Sequence, residues 1–99
     1  MAFIQIIEIE TDDFDAMQAA EGEFEAATEG QRTTRRRILT RDRKDPSKYL
    51  MLVFFDSYES AMENSNRPET NEFSAAMAKL CDEPPKFYNL DVYQVMEME

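Results

Sequence analysis

Apolar and polar residues alternate at the start of the chain. Residues 2–10 (AFIQIIEIE) are rich in β-branched side chains, with Phe3, Gln5, Ile7 and Ile9 on one side and Ile4, Ile6, Glu8 and Glu10 on the other. This predicts a strand that is apolar on both faces over its first half. From Thr11 the period becomes helical. Thr11, Asp12 and Asp13 supply capping side chains, and Phe14, Met17, Ala20, Phe24 and Ala27 recur as one apolar stripe. Asp15, Glu21, Glu23, Glu25 and Glu29 then belong to the other faces of the helix, and Gly30 is placed to end it.

Thr33 to Arg41 (TTRRRILTR) reads as a basic strand whose alternation is loose. Asp45-Pro46-Ser47 carries turn chemistry and Tyr49 to Phe55 (YLMLVFF) is a continuous apolar run, so the two strands form an antiparallel hairpin. A short helical turn is expected over Tyr58 to Glu63. Asn64-Ser65-Asn66 breaks it, and Pro68 opens a second helix to about Leu80, with Phe73, Ala76, Met77 and Leu80 facing inward. Asn66, with Glu69 three residues on, has the spacing of a capping box. Pro84-Pro85 stops the helix, and Lys86 to Met96 (KFYNLDVYQVM) is the last strand.

Strand, helix, two strands, helix and strand define an α+β class of ferredoxin-like βαββαβ order. Right-handed crossovers in that order put both helices on one face of a four-stranded antiparallel sheet. One domain spanning residues 1–99 accounts for the pattern. The other face of the sheet has no cover within one chain. Yet in the third strand Leu50, Leu52 and Phe54 lie opposite Tyr49, Met51, Val53 and Phe55. A strand apolar on both sides calls for a second layer, and a second copy of the chain is the expected partner, making a homodimer.

Composition narrows the chemistry. The 99 residues carry a net charge of −10 and are 42% hydrophobic, the balance of a folded domain with an acidic, solvated surface. No apolar run approaches the roughly 20 residues of a membrane span, the first residues lack the features of a secretory signal, and a cytoplasmic location is expected. Cys81 is the one cysteine, which rules out an intrachain disulfide and a thiolate zinc site. The chain has no histidine. Imidazole bases, imidazole-ligated haem and facial-triad iron are thereby removed, and neither metal nor cofactor is expected.

The element order, the two-faced strands and the segment YESAMENSNRPETNEFSAAMAKLCDEPPKFYNLDVYQV resemble the dimeric α+β barrel superfamily, within it the antibiotic-biosynthesis-monooxygenase-like group. The resemblance covers nearly the whole chain. It implies two sheets paired face to face, a small aromatic or polyketide-like ligand between sheet and helices, and, in the oxygenating members, chemistry without a cofactor. Where that group often has Ser/Thr-x-His-Phe, this chain has Thr70-Asn71-Glu72-Phe73, so Glu72 stands in the place of histidine. The haem-degrading branch uses a histidine and a tryptophan, and the chain has neither.

Candidate site residues follow from charge and face. Eight of the eleven basic residues, Arg32, Arg35, Arg36, Arg37, Arg41, Arg43, Lys44 and Lys48, fall in one stretch, while residues 1–31 contain none. Arg35 and Arg37 pointing into the barrel would hold an anionic substrate; the other account pairs the basic strand with acidic helices of this chain or its partner. Nucleic acid is not expected, because the net charge opposes a polyanion. Asn89, Asp91 and Tyr93 share one face of the last strand, and Leu90 and Val92, on the other, are expected to meet the helices. Asp91 and Glu72 are the candidate catalytic bases, with Asn89 and Tyr93 orienting substrate oxygens; the plainer account pairs Asp91 with Arg35 or Arg37 and leaves Glu72 solvated. Met17, Met51, Met62 and Met77 are assigned to the core. The sequence leaves open whether the pocket performs chemistry or serves a non-catalytic ligand-binding, regulatory or stress-related module.

Overall fold

The computed structural model describes residues 2–98. Strand β1 (Phe3–Glu10) leads into helix α1 (Phe14–Ala27), then the hairpin of β2 (Thr34–Arg41) and β3 (Lys48–Phe55), helices α2 (Tyr58–Ser65) and α3 (Pro68–Leu80), and strand β4 (Lys86–Asp91). The four strands form one antiparallel sheet in the order β2-β3-β1-β4. This is the expected α+β architecture, with the second helical region divided in two.

Local chemistry explains the boundaries. Asp13 caps α1 by accepting a hydrogen bond from the Ala16 backbone N–H at 3.0 Å. Beyond α1, Gly30 turns the chain at φ 78°, a left-handed conformation open to glycine without strain. Ser57 caps α2 through the Ser60 N–H at 3.1 Å. The capping box expected at Asn66 does not form. Asn66 instead ends α2, and α3 starts from Arg67 with no side-chain cap. Proline at the first position of α3 costs no hydrogen bond, because the N–H it lacks would have no partner within the helix, and the Thr70 hydroxyl ties the corner together by donating to the Asn64 carbonyl at 2.7 Å.

Register decides which side chains meet the helices. β1 and β3 pair over eight residues, from Phe3 with Phe55 to Glu10 with Lys48. On the helix side, Phe3, Met51, Val53, Phe55 and Ala61 form one buried cluster, and Ile9, Met17, Tyr49 and Met77 form another. Phe24 of α1 stacks on Phe73 of α3 with ring centroids 4.6 Å apart, joining the two long helices above the sheet. Thr11 is buried at the end of β1, where its hydroxyl donates to the Leu80 carbonyl at 2.6 Å and so anchors the last turn of α3.

Three expectations need correction. The apolar stripe of α1 keeps Phe14, Met17, Ala20 and Phe24 on the core but not Ala27, which is exposed, while Glu21, expected on another face, is buried, with Thr28 buried just beyond. Spacings of four and three keep those positions on one side of a 3.6-residue helix. β4 ends at Asp91 rather than Met96, and Tyr93, Val95, Met96 and Met98 beyond it are exposed. Finally, Leu90 faces away from the helices. β4 pairs with β1 as Leu90 with Ile4 and Asn89 with Gln5, which turns Asn89 inward. Alternation sorts a strand into two sets, and pairing alone says which set faces in.

The outer face of the sheet is apolar. Aligned rows put Ile38, Leu52, Ile6 and Tyr88 side by side, and next to them Arg36, Phe54, Ile4 and Leu90. No element among the described residues covers these side chains, and Tyr88 and Leu90 are each 44% exposed.

Candidate functional site

A cavity of about 340 Å³ lies between the inner face of the sheet and the helices. Its apolar wall includes Phe24 of α1, Phe73 and Met77 of α3, and Ile7, Met51 and Phe87 of the sheet. Across its floor runs one polar row. Arg37 pairs with Val53, Val53 with Gln5, and Gln5 with Asn89, which puts three polar side chains in line across four strands. All three line the cavity. The Gln5 amide donates to Asn89 Oδ1 at 3.1 Å. Asn64, Ser65 and Thr70 add polar groups where α2 meets α3.

Arg37 is the one charged side chain on the cavity wall among the described residues. It is half-buried, and its guanidinium forms an ion pair with Glu25 of α1. Glu21, one turn earlier in α1, is buried and accepts a hydrogen bond from Gln18 at 3.0 Å. Burial pushes the Glu21 carboxyl above its usual range, and the negative charge of Glu25 pushes the same way, while Arg37 and the Gln18 hydrogen bond oppose the rise. Two carboxylates of α1 thus share one cation on β2. No group of three or more His, Cys, Asp or Glu side chains among the described residues has the geometry to hold a metal ion.

No family model matches the sequence, and no curated protein matches it either. Solved structures do. A structure from Mycobacterium tuberculosis superposes with a TM-score of 0.81 at 14% identity, covering 98% of this chain and 100% of the other. A protein from Caulobacter crescentus, described as a candidate antibiotic biosynthesis monooxygenase, gives 0.80 at 14% identity over 94% and 91% of the two chains. One of the same description from Chloroflexus aurantiacus gives 0.73 at 16% identity over the full length of both. The chain shares the backbone fold of these structures. At these identities the likeness concerns backbone architecture.

Within this fold, the expected site residues separate into two groups. Arg37 and Asn89 both line the cavity floor, at opposite ends of its polar row. Arg35 does not join them. A bulge between Thr34 and Arg36 breaks the two-residue alternation, so Arg35 binds Asp56 at 2.6 Å on the surface, away from Arg37. Glu72 lies on an exposed face of α3, in a shallow groove shared with Ala20 and Glu23 of α1. Asp91 is exposed at the end of β4, paired with Phe3 of β1, and Tyr93 is 94% exposed beyond the strand. The expected pairing of Asp91 with Arg35 or Arg37 is replaced by Asp56 and Glu25 as their partners. The account that paired the basic strand with an acidic helix holds at Arg37.

Elsewhere in the basic strand, Arg36 lies over the Phe54 ring at 5.6 Å, and Arg41 over Phe14 at 5.1 Å and Tyr49 at 5.2 Å. Cys81, half-buried at the end of α3, has its thiol pushed up by burial. Gln5 and Glu21 were not among the sequence candidates. The signal for Glu21 is its place in the series Phe14, Met17, Glu21, Phe24 and Thr28, spaced by threes and fours.

The raised Glu21 carboxyl has a consequence for stability. A group whose folded pKa lies above its unfolded value stabilises the fold below the unfolded pKa, and that contribution is lost as pH rises through the folded pKa. Glu21→Gln removes the ionisable group while keeping its shape. Urea unfolding of variant and wild type between pH 4 and pH 7 is expected to show the difference moving in favour of the variant as pH rises. A difference that stays constant across that range rejects the assignment.

Proposed function

We propose that the protein binds a small aromatic or polyketide-like molecule in the cavity between sheet and helices, and works as a homodimer joined through the outer face of the sheet. One observation carries the binding proposal: a cavity of about 340 Å³ that joins an apolar wall to a polar row of Arg37, Gln5 and Asn89 on its floor and to polar groups at the meeting of α2 and α3. Ligand sites are built this way, with apolar area supplying affinity and a few polar groups fixing orientation. Phe24, Phe73 and Phe87 favour a flat aromatic occupant. Support for the homodimer is the uncovered apolar face, since two such faces pressed together remove Ile6, Leu52 and Phe54 from water.

A second reading, cofactor-independent oxygenation of the bound molecule, is favoured by the descriptions of the structural neighbours from Caulobacter and Chloroflexus. In such a reaction the protein's part is to hold an electron-rich phenol or hydroquinone and take its proton. Asp91 and Glu72 as bases, with Arg35 and Tyr93 as further contacts, would serve a substrate that reaches beyond the cavity, since none of the four lines its wall. No helix among the described residues is long and apolar enough to cross a membrane. We place the protein in the cytoplasm.

Binding is tested by titrating 2-naphthol and following its fluorescence. Saturable binding with Kd below about 1 mM is expected, weakened at least tenfold by Ser74→Phe, which adds a ring to the cavity wall from an exposed position. Equal affinity in both proteins rejects the cavity as the site. Light scattering at micromolar concentration is expected to give twice the 11.6 kDa chain mass, and Leu52→Lys is expected to halve it. A monomeric wild type rejects the proposed sheet-to-sheet dimer. An oxygen electrode with 1,4-dihydroxynaphthalene tests the second reading: uptake above the protein-free rate, lost in Asp91→Asn or Glu72→Gln, supports oxygenation, and uptake at the protein-free rate leaves the binding role alone.

A further inference from the structure

The cavity has polar stations at two ends of its floor, and they differ in kind. At one end, the Gln5 and Asn89 side chains are joined through one hydrogen bond, leaving Gln5 Oε1 to accept and Asn89 Nδ2 to donate. That pair suits a hydroxyl, which does both. At the other end, two strand spacings or about 10 Å away along the row, stands Arg37. Composition points to an anion there. The surroundings of Arg37 point elsewhere: its charge is already matched by the paired Glu25 carboxylate, and Glu21 sits close behind.

The arginine on the wall therefore carries little net positive charge to offer an incoming carboxylate. It still has N–H groups not used by Glu25, because a guanidinium carries five donors. Such donors serve an uncharged oxygen well. The other arginines nearby are off the cavity wall: Arg35 is held by Asp56, Arg36 lies over Phe54 on the outer face, and Arg32 is exposed in the adjoining groove beside Glu25.

We propose that Glu25 is a specificity-determining residue, which makes the cavity select uncharged aromatic molecules with an oxygen at each end over the corresponding carboxylates. This rests on the binding role proposed for the same cavity. Glu25 acts by occupying and neutralising Arg37, so an anionic ligand must either displace it or meet its charge. A neutral hydroxyl or carbonyl oxygen shares the guanidinium with it.

The test uses two probes that differ at one end, 2,6-dihydroxynaphthalene and 6-hydroxy-2-naphthoate, titrated at pH 7 into the full chain with probe fluorescence as readout. Wild type is expected to bind the diol at least tenfold more tightly. Glu25→Gln, at a largely exposed position that tolerates the change, is expected to improve naphthoate binding at least tenfold and leave the diol within a factor of three. Glu23→Gln removes the same charge from an exposed site on α1 outside the cavity wall, and is expected to leave the preference unchanged. Naphthoate binding as tightly as the diol in wild type overturns the proposal, as does an equal shift in both variants, which would assign the preference to net charge. If wild type binds neither probe, the binding role of the cavity fails first and the selectivity falls with it.

Discussion

The pairing of β1 with β3 along one edge and β4 along the other holds the molecule in its present form. β1 is a central strand, so its register assigns every inward and outward position of the two strands beside it. A slip by one residue would send Phe3, Ile7 and Ile9 to the outer face and bring Glu8 and Glu10 beneath the helices. Ile4 and Ile6 would replace Phe3 and Gln5, but burying Glu8 and Glu10 where Ile7 and Ile9 now pack is a change the small core could not absorb. The register is therefore strongly specified, although both sides of the strand begin apolar.

From that register follows the cavity floor. Gln5 is the one polar residue in the inward series Phe3, Gln5, Ile7 and Ile9, and the pairing sets it opposite Asn89 and two strands from Arg37. The three polar groups come from sequence positions far apart, and only the sheet brings them into a line. Above them α1 contributes its own polar break, Glu21, in a stripe otherwise made of Phe14, Met17, Phe24 and Thr28. The carboxylates of α1 thus gather at the arginine end of that line, away from Gln5 and Asn89. An apolar pocket with a charge-compensated polar end binds molecules that are themselves mostly apolar.

The segregation of charge along the chain also takes on a more definite meaning. A stretch so rich in arginine invites the picture of a basic patch for an anion. In the folded chain its members are used one at a time: Arg35 on Asp56, Arg37 on Glu25, Arg36 over Phe54, Arg41 between Phe14 and Tyr49. These contacts disperse part of the basic stretch among separate carboxylates and rings, so it does not form one anion-binding patch.

What the sequence by itself determined is the order and kind of the elements, because these rest on local chemistry. Alternation in AFIQIIEIE, capping side chains before Phe14, the Asp-Pro-Ser turn and Pro68 each act within a few residues. The two-faced apolar strands were equally legible, and with them an outer face in need of cover. What only the tertiary structure decided is the facing of particular side chains. A bulge at Thr34 to Arg36 parted Arg35 from Arg37, and pairing with β1 turned Asn89 inward and Leu90 outward. Glu21 proved buried because α1 turns Met17, Glu21 and Phe24 inward, with Phe24 stacked on Phe73 of α3. Facing depends on contacts between residues distant in the chain, and periodicity describes a segment without saying which of its sides the rest of the molecule will meet.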